Sequence, residues 1–513
     1  MDYALAALSG ALLALSFPRF GHPAFGWVAL VPLVAAVARR RANGRGVSFG
    51  RGFLMGLAAG AVYFAGTLYW TSAVMTAYGG FNAALAVLVA LTLVAYLALY
   101  PALFAGLSAR FVSAAGPGAL VAVPLAWVAT EYARGYLLTG FPWVLLGYSQ
   151  VTVLPIAQMA SVVGVFGLSG FVAAVNAALA WAVVGPTLRQ RALTAIAAAA
   201  VVAAAAAWGQ ARVSEASLTR GEAKTLTVGV IQGNVPQDQK WDPAHAGEIF
   251  ARYLRMSREA AAAGARFIVW PESSTPFFFE EDPAGRMAIR QLAIETGAQI
   301  LLGSDQMERA SPPRYYNAAF LVGPDGNIRA VYRKMHLVPF GEYVPLKKIL
   351  FFVSPLVEAV SDFTPGDEAV VLPLGNGAAS TSICYEVVYP DLVRQSVAAG
   401  SELLTTITND AWYGQTSAPY QHFEQAVMRA IEQGRYLVRS ANTGVSALVD
   451  PYGRIMQRST LFNTQVLVGD VRFIAGRTFY GRTGDVVAWA SVAFTLLAFV
   501  AASTQVRRGG QER

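Results

Sequence analysis

The stretch Ser380-Thr-Ser-Ile-Cys384-Tyr-Glu386 decides how the charged middle of this chain folds. A short run of small and β-branched residues stops at a thiol and a carboxylate, the pattern of a buried strand that ends in functional side chains. Two other stretches share the form. Phe267-Ile-Val-Trp-Pro-Glu272 ends an apolar run in a carboxylate, and Tyr332-Arg-Lys334 puts a lysine just after a short strand. Functional groups of α/β domains gather at the carboxyl ends of strands, where the sheet holds the backbone rigid.

Outward from these, apolar runs recur at 226–231, 299–303, 318–322, 403–408, 445–449 and 465–471. Helix-like stretches at 248–263, 286–296, 392–399 and 422–439 alternate with several of them. The spacing predicts an α/β domain over 209–484, long enough to bury a full core.

The flanking parts differ. Of 513 residues 55% are hydrophobic and 14% charged, and the mean hydropathy is +0.44. Soluble chains carry about 25% charged residues, so an integral membrane protein is expected. Strong candidate spans are 52–70, 81–107, 155–184, 192–208 and 486–502, with shorter ones at 3–17, 23–37 and 118–132, the first two of which read as tilted or thin spans or, alternatively, as a hairpin that re-enters the same face. The expected organisation is therefore a bundle of about seven helices over 1–208, the α/β domain, and one more helix in 485–513, eight spans in all. If they alternate, eleven arginines (39, 40, 41, 45, 51, 110, 189, 191, 507, 508, 513) fall on one side, against Arg19 and Arg134 on the other. The positive-inside rule then puts both termini in the cytoplasm and the α/β domain outside. Met1-Asp2-Tyr3 lacks the positive start of a cleaved signal, so the first helix is expected to be retained.

Charge and composition exclude several classes. The hydrophobic parts hold 13 arginines, no lysine and 4 acids, whereas 209–484 holds 26 basic against 27 acidic residues. The excess of +8 is thus not a nucleic-acid face. Four scattered histidines have no metal-ligand spacing, and the single Cys384 excludes an intrachain disulfide. Neither metal nor cofactor is expected.

Cysteine, glutamate and lysine together make chemical sense. The carboxylate takes the thiol proton, and the ammonium, with the Tyr385 N–H, holds an oxyanion. Singly, each has a plainer role: Cys384 as apolar filler, Glu272 as a cap for a helix starting at Ser273-Ser274, Lys334 as a surface lysine.

In this order the Trp-Pro-Glu, Tyr-Arg-Lys and Cys-Tyr-Glu stretches resemble the nitrilase superfamily with its Glu-Lys-Cys triad. Gln232-Gly-Asn-Val-Pro-Gln237 with Lys240-Trp241, Val338-Pro-Phe-Gly-Glu-Tyr343 and Thr408-Asn-Asp-Ala-Trp412 resemble signatures of the bacterial apolipoprotein N-acyltransferases. The resemblance covers essentially the whole chain. It implies an αββα four-layer sandwich for the middle domain and a multi-pass bacterial inner-membrane protein with that domain in the periplasm. It makes Cys384 the nucleophile, Glu272 the base and Lys334 the oxyanion and thiolate stabiliser. Glu342 would orient Lys334 or assist proton transfer, Tyr385 and Glu386 would hold the network around the thiol, Asn317 would bind substrate or help position the pocket, and Tyr343, Trp241 and Trp412 would face substrate, with packing the alternative for the two tryptophans. His422 reads as a helix-cap or core histidine.

The implied reaction moves the sn-1 acyl chain of a phospholipid, phosphatidylethanolamine first among donors, onto Cys384 and then to the α-amine of a diacylglyceryl-cysteine at a lipoprotein N-terminus. A monomer suffices for it. The same triad also fits a membrane-tethered amidase, in which water attacks the thioester. A transporter with an outer binding domain fits poorly, because the spans are almost free of ionisable residues. Two local expectations complete the picture. The apolar segment 349–356 reads equally as a lipid-dipping lid or as core; Glu131 and Arg134 read as pairing near the interface or contacting a head group, with outward snorkelling preferred for Arg134, and 137–148 reads as interfacial.

Overall fold

The computed structural model describes residues 1–39, 46–220, 224–343 and 363–511. It divides into two compact units, one of Met1–Thr76, Phe81–Glu215 and Thr483–Arg513, the other of Ala77–Gly80 and Ala216–Arg482. The arginines at 40, 41, 45 and 513 and the segment 349–356 lie outside the described residues.

The first unit is helical. Among the described residues five helices are long and apolar enough to cross a bilayer, not eight: Phe49–Leu68, Ala83–Ala115, Ala160–Val184, Leu188–Glu215 and Val486–Gln505. The three other expected spans are short or broken. Asp2–Ala14 has 13 residues, a rise of about 20 Å against a hydrocarbon core of about 30 Å. The 23–37 segment splits into a 3-10 turn, Pro23–Trp27, and the eight-residue helix Val31–Ala38. The 118–132 segment splits into the 3-10 turn Pro117–Ala122 and the helix Val123–Tyr136. Prolines at the first turn of each piece (Pro23, Pro32, Pro117 and Pro124) restart the helix rather than continue it.

Small residues set the packing. Gly52, Gly56 and Gly60 recur every fourth residue, so they share one face of Phe49–Leu68. A Cβ at Gly56 would lie 2.2 Å from the Pro101 carbonyl oxygen, and one at Gly60 2.8 Å from Ala98 Cα. Only glycine lets the two backbones approach so closely, the usual device where lipid supplies no hydrophobic drive between helices.

The expectation for Arg134 fails. It is 2% exposed and donates to the carbonyls of Phe141 (3.0 Å) and Trp143 (2.7 Å), while Glu131 accepts from Leu146 N at 2.7 Å. These bonds fold 141–150 into the unit, where Trp143 and Tyr148 are buried. An irregular loop inside apolar surroundings needs partners for its backbone, and this charged pair supplies them.

The second unit is α/β, with two six-stranded sheets among the described residues. The first sheet is ordered β12 (Gln465–Arg472), β1 (Thr225–Gln232), β2 (Phe267–Val269), β3 (Gln299–Glu308), β4 (Arg314–Val322) and β5 (Ile328–Arg333). The second is ordered β11 (Ile455–Arg458), β10 (Ala447–Val449), β9 (Leu437–Ala441), β8 (Leu403–Thr408), β7 (Ala378–Ile383) and β6 (Leu372–Pro373). Strands β1, β2 and β3 run parallel, as do β7, β8 and β9.

Helices Pro243–Ala262 and Pro283–Thr296 cover the first sheet, and Pro390–Ala398 and Ala418–Gln433 the second. The sheets touch through Ser440 Oγ donating to Ile231 O at 2.9 Å, and Tyr332 Oη of β5 donates to Glu386, in the turn after β7, at 2.8 Å. Sequence explains the helices simply. Asp242-Pro243 and Asp282-Pro283 each supply a capping carboxylate and a preset first turn, a cap being worth about 1 kcal/mol. Ile249, Tyr253, Met256 and Ala260 then fall on one buried face, against Ile268 and Trp270.

One predicted helix runs too far. The stretch expected as helix over 422–439 ends at Gln433, because Gly434 takes the left-handed conformation (φ +61°) and the chain turns into β9.

Candidate active site

Topology brings the three strand ends together. Because β4 is antiparallel to both β3 and β5, β5 runs in the same direction as β2. Glu272, just past β2, and Lys334, just past β5, therefore emerge at the same edge of the first sheet. Cys384 follows the last residue of β7, and Asn409 the last of β8, its parallel neighbour.

The Glu272 turn is held close to its sheet. A Cβ at Gly303 would lie 2.5 Å from Pro271 O and 2.7 Å from Glu272 Cα. Ser274 N donates to Gly303 O at 2.8 Å, and Ser273 adopts φ +42°. No helix starts there, so Glu272 does not act as a cap. Its Oε1 accepts from Asn317 Nδ2 (2.7 Å) and faces Lys334 Nζ (3.4 Å); its Oε2 accepts from Asn409 N (2.9 Å). Glu342 Oε1 receives Asn317 Nδ2 (2.9 Å) and Lys334 Nζ (2.9 Å), and its Oε2 accepts from Val338 N (2.7 Å). Two carboxylates thus share one ammonium and one amide, every group being buried.

Electrostatics give each group a defined resting state. Burial works against the Lys334 ammonium, but Glu342 and Glu272 more than offset it and raise its pKa. Burial likewise opposes the Glu272 carboxylate, yet Lys334 and Lys240 hold it below its ordinary value. The Cys384 thiol is pushed up by burial and by Glu272, with Lys334 pulling the other way. The site therefore rests as a neutral thiol beside a carboxylate and an ammonium, the arrangement needed for proton removal during attack.

Cys384 itself sits at φ +53°, a left-handed conformation that costs a non-glycine residue about 1–3 kcal/mol and marks a sharp turn at the nucleophile. Glu386 braces that turn. Its Oε2 accepts from Ile383 N (2.7 Å), and its Oε1 from Tyr332 Oη (2.8 Å), Met335 N (2.6 Å) and His336 N (3.1 Å). Burial raises its pKa to about 7. Tyr385 is buried beside it, its ring edge-on to Tyr389.

The remaining sequence-selected residues divide. Asn317 belongs to the carboxylate clamp rather than to an open surface. Trp241 is 49% exposed and Trp412 38%, Trp412 standing edge-on to Tyr78 at 5.0 Å, while Tyr343 is half-buried.

Several residues escaped the sequence reading. Lys240 is buried, donates to Glu272 O at 3.2 Å, and has its pKa lowered by that burial. Asp305, hydrogen-bonded by Ser273 at 3.0 Å, is raised by burial to about 6. Asn409 and Asp410 also lie at the site, as does His422, read from the sequence as a helix-cap or core histidine and fully buried in the helix Ala418–Gln433. The one available signal was their place inside or just after quoted motifs, Lys240 before Trp241 and Asn409-Asp410 before Trp412.

Among the described residues no group of three or more His, Cys, Asp or Glu side chains could hold a metal ion.

Residues 227–476 match the carbon-nitrogen hydrolase family, and residues 9–178 match the apolipoprotein N-acyltransferase N-terminal domain. Among solved structures, an amidase from Nesterenkonia sp. is similar over 50% of this chain and 93% of its own, with 22% identity and a TM-score of 0.38. An apolipoprotein N-acyltransferase of Methylococcus capsulatus is 35% identical over 94% of this chain and 93% of its own. That of Geobacter metallireducens is 43% identical over 96% of this chain and 93% of its own. Long apolar helices, a two-sheet α/β unit and this full-length kinship together make the chain a membrane-associated enzyme of the apolipoprotein N-acyltransferase family.

Proposed function

We propose that this protein moves one acyl chain from a phospholipid to the N-terminal amine of a diacylglyceryl-modified lipoprotein, through a thioester on Cys384. The observation that carries the reading is the shared clamp: Glu272 is fixed by Asn317, Asn409 N–H and Lys334, and stays anionic while the thiol stays protonated. As Sγ attacks the ester carbonyl, Glu272 takes the thiol proton. Lys334 and the Tyr385 N–H hold the oxyanion, and Glu272 returns the proton to the departing lysophospholipid oxygen.

The lipoprotein amine then attacks the thioester. Glu272 accepts the amine's proton and passes it to the departing thiolate, leaving an amide and a regenerated thiol. An amide is more stable than either ester, so the second step draws the sequence forward. Glu342 keeps Lys334 charged and aimed, Glu386 and Tyr385 hold the turn, and the exposed Trp241, Trp412 and half-buried Tyr343 meet the lipid substrates.

The helical parts, 1–208 and 485–513, anchor the 209–484 domain at the bilayer where both substrates reside, which shortens the search for them. The arginine distribution supports cytoplasmic termini and a periplasmic catalytic domain in the inner membrane, with phosphatidylethanolamine as donor and a monomer as the working unit.

The test is intact mass after incubation with phosphatidylethanolamine. One acyl chain should be added to the wild type, be removed by hydroxylamine, be absent from Cys384→Ala, and pass to a diacylated lipopeptide on chase. Absence of the adduct, or loss of the chain to water with lipopeptide present, overturns the reading.

A further inference from the structure

Behind the thiol lies a buried polar cluster that the mechanism above does not use. Asp410, His422 and Arg439 have no solvent exposure. Asp410 Oδ2 receives Arg439 Nη2 at 2.9 Å, and Asp410 Oδ1 receives Thr408 Oγ1 at 2.9 Å. His422 Nδ1 sits between Asp410 Oδ1 (2.9 Å) and Arg439 Nη2 (3.1 Å), so this nitrogen has a partner with or without a hydrogen. His422 Nε2 lies 3.1 Å from the carbonyl oxygen of Cys384. A carbonyl has no hydrogen to give, so Nε2 carries one and donates it.

That carbonyl belongs to the residue held at φ +53°. A left-handed nucleophile persists only where its surroundings over-determine it. The Cys384 peptide is gripped on its far side by the imidazole, and the imidazole by Arg439, whose Nη2 faces His422 Nδ1 at 3.1 Å and donates to Asp410 Oδ2 at 2.9 Å. Asp410 is in turn covalently next to Asn409, whose N–H binds Glu272 at 2.9 Å. The backbone of Gly444 closes on the cluster, since a Cβ there would lie 2.2 Å from Asp410 Oδ2.

We infer that His422 is a positioning residue: the Asn409–Asp410 turn holds the base through one residue and the nucleophile through the next, with His422 as the link to Cys384. The turn thereby sets the spacing between the group that gives the proton and the group that takes it. The inference rests on the acyl-transfer reading for its substrate, but its geometry does not depend on which acyl donor is used.

Two amide variants separate the link from mere packing. In His422→Gln the side-chain NH₂ reaches the place of Nε2 and can donate to the Cys384 carbonyl. In His422→Asn the amide reaches only the place of Nδ1 and keeps Asp410 company alone. With full-length protein and phosphatidylethanolamine in mixed micelles, the rate of acyl-enzyme formation should fall about 100-fold in His422→Asn, the scale of an ångström-sized misplacement of a reacting group. It should recover at least tenfold in His422→Gln, with KM for the lipid unchanged in both. Alkylation of Cys384 by iodoacetamide should follow the same order, since that reaction needs the thiol and its base but no lipid.

Equal rates in both variants and the wild type would overturn the inference. So would equal losses in both accompanied by matching drops in melting temperature, which would assign His422 to packing. If the wild type is alkylated but never acylated by lipid, the donor assignment fails instead. The alkylation order then still decides the role of His422.

Discussion

Two clusters of buried charge invite comparison, one in each unit. In the helical unit Glu131 and Arg134 face each other at 4.0 Å, but Arg134 donates to the Phe141 and Trp143 carbonyls, while Glu131 accepts from Leu146 N and is hydrogen-bonded by the Ser169 side chain. In the α/β unit Glu272, Glu342, Lys334 and Asn317 spend their hydrogen bonds mainly on one another, and Glu272 and Glu342 keep a few per cent of their surface exposed. The first arrangement satisfies a loop; the second keeps charge available. Buried charge is therefore not itself a mark of catalysis. What distinguishes the two is where the hydrogen bonds go.

The largest expected effect breaks the comparison at the second cluster. Glu272→Gln preserves shape and most hydrogen bonds but removes the base, so acyl-enzyme formation should fall about 10²–10⁴-fold. Its melting temperature in detergent should stay near that of the wild type. Arg134→Leu should do the converse. It leaves the Phe141 and Trp143 carbonyls and the Glu131 carboxylate without their cation, at a cost of about 3 kcal/mol. A clear fall in melting temperature is expected, with normal acylation per folded molecule. If Arg134→Leu instead removed activity at unchanged stability, the contrast between the clusters would be mistaken.

The same contrast explains what was legible in the sequence. Glu272, Lys334 and Cys384 stood out because each ends a short apolar run, and strand ends are visible as a change of pattern. The α/β character of 209–484 followed from the recurrence of such runs, whereas its two sheets were implied only by the family resemblance. Arg134 was misread because a charge at the end of an apolar stretch looks the same whether it reaches water or a buried carbonyl. The helix assigned across 422–439 overran because its apolar spacing continues past Gly434, and only backbone geometry reveals the left-handed turn there. The three short spans were counted as crossings because composition records apolarity, whereas prolines at 23, 32, 117 and 124 decide helix length. Lys240 and Asp410 were hidden for a different reason. Both stand inside motifs quoted from the sequence, but the partners that place them, Glu272 at 32 positions from Lys240 and Arg439 at 29 from Asp410, are not legible in a single sequence.

The pH dependence of acylation sharpens the account of the second cluster. Glu272 must be ionised to take the thiol proton, and burial alone would raise its pKa. Lys334 and Lys240 reverse that and hold it below the ordinary carboxylate value. Acylation is thus retained as pH falls through the usual carboxylate range, and lost only as pH drops through the depressed pKa. Lys240→Met removes one of the two cations, so its acid limb should move to higher pH while the alkaline side is unchanged. A limb that stays in place would mean that Lys240 acts only through its bond to the Glu272 carbonyl.

The smallest effect comes from charges that are not buried. Arg258 and Glu295 join helices Pro243–Ala262 and Pro283–Thr296 through two bonds of 3.0 and 3.1 Å, a better geometry than the 4.0 Å pair in the helical unit. Both side chains are nearly half exposed. Water solvates either ion almost as well alone, so geometry counts for little and a double-mutant cycle should give about 0.2–1 kcal/mol, shrinking as salt is added. Removing Arg134 should cost several times more despite its longer ion-pair distance, because the groups it abandons have no solvent to turn to. A surface coupling as large as the buried loss would mean that distance, rather than desolvation, governs these pairs.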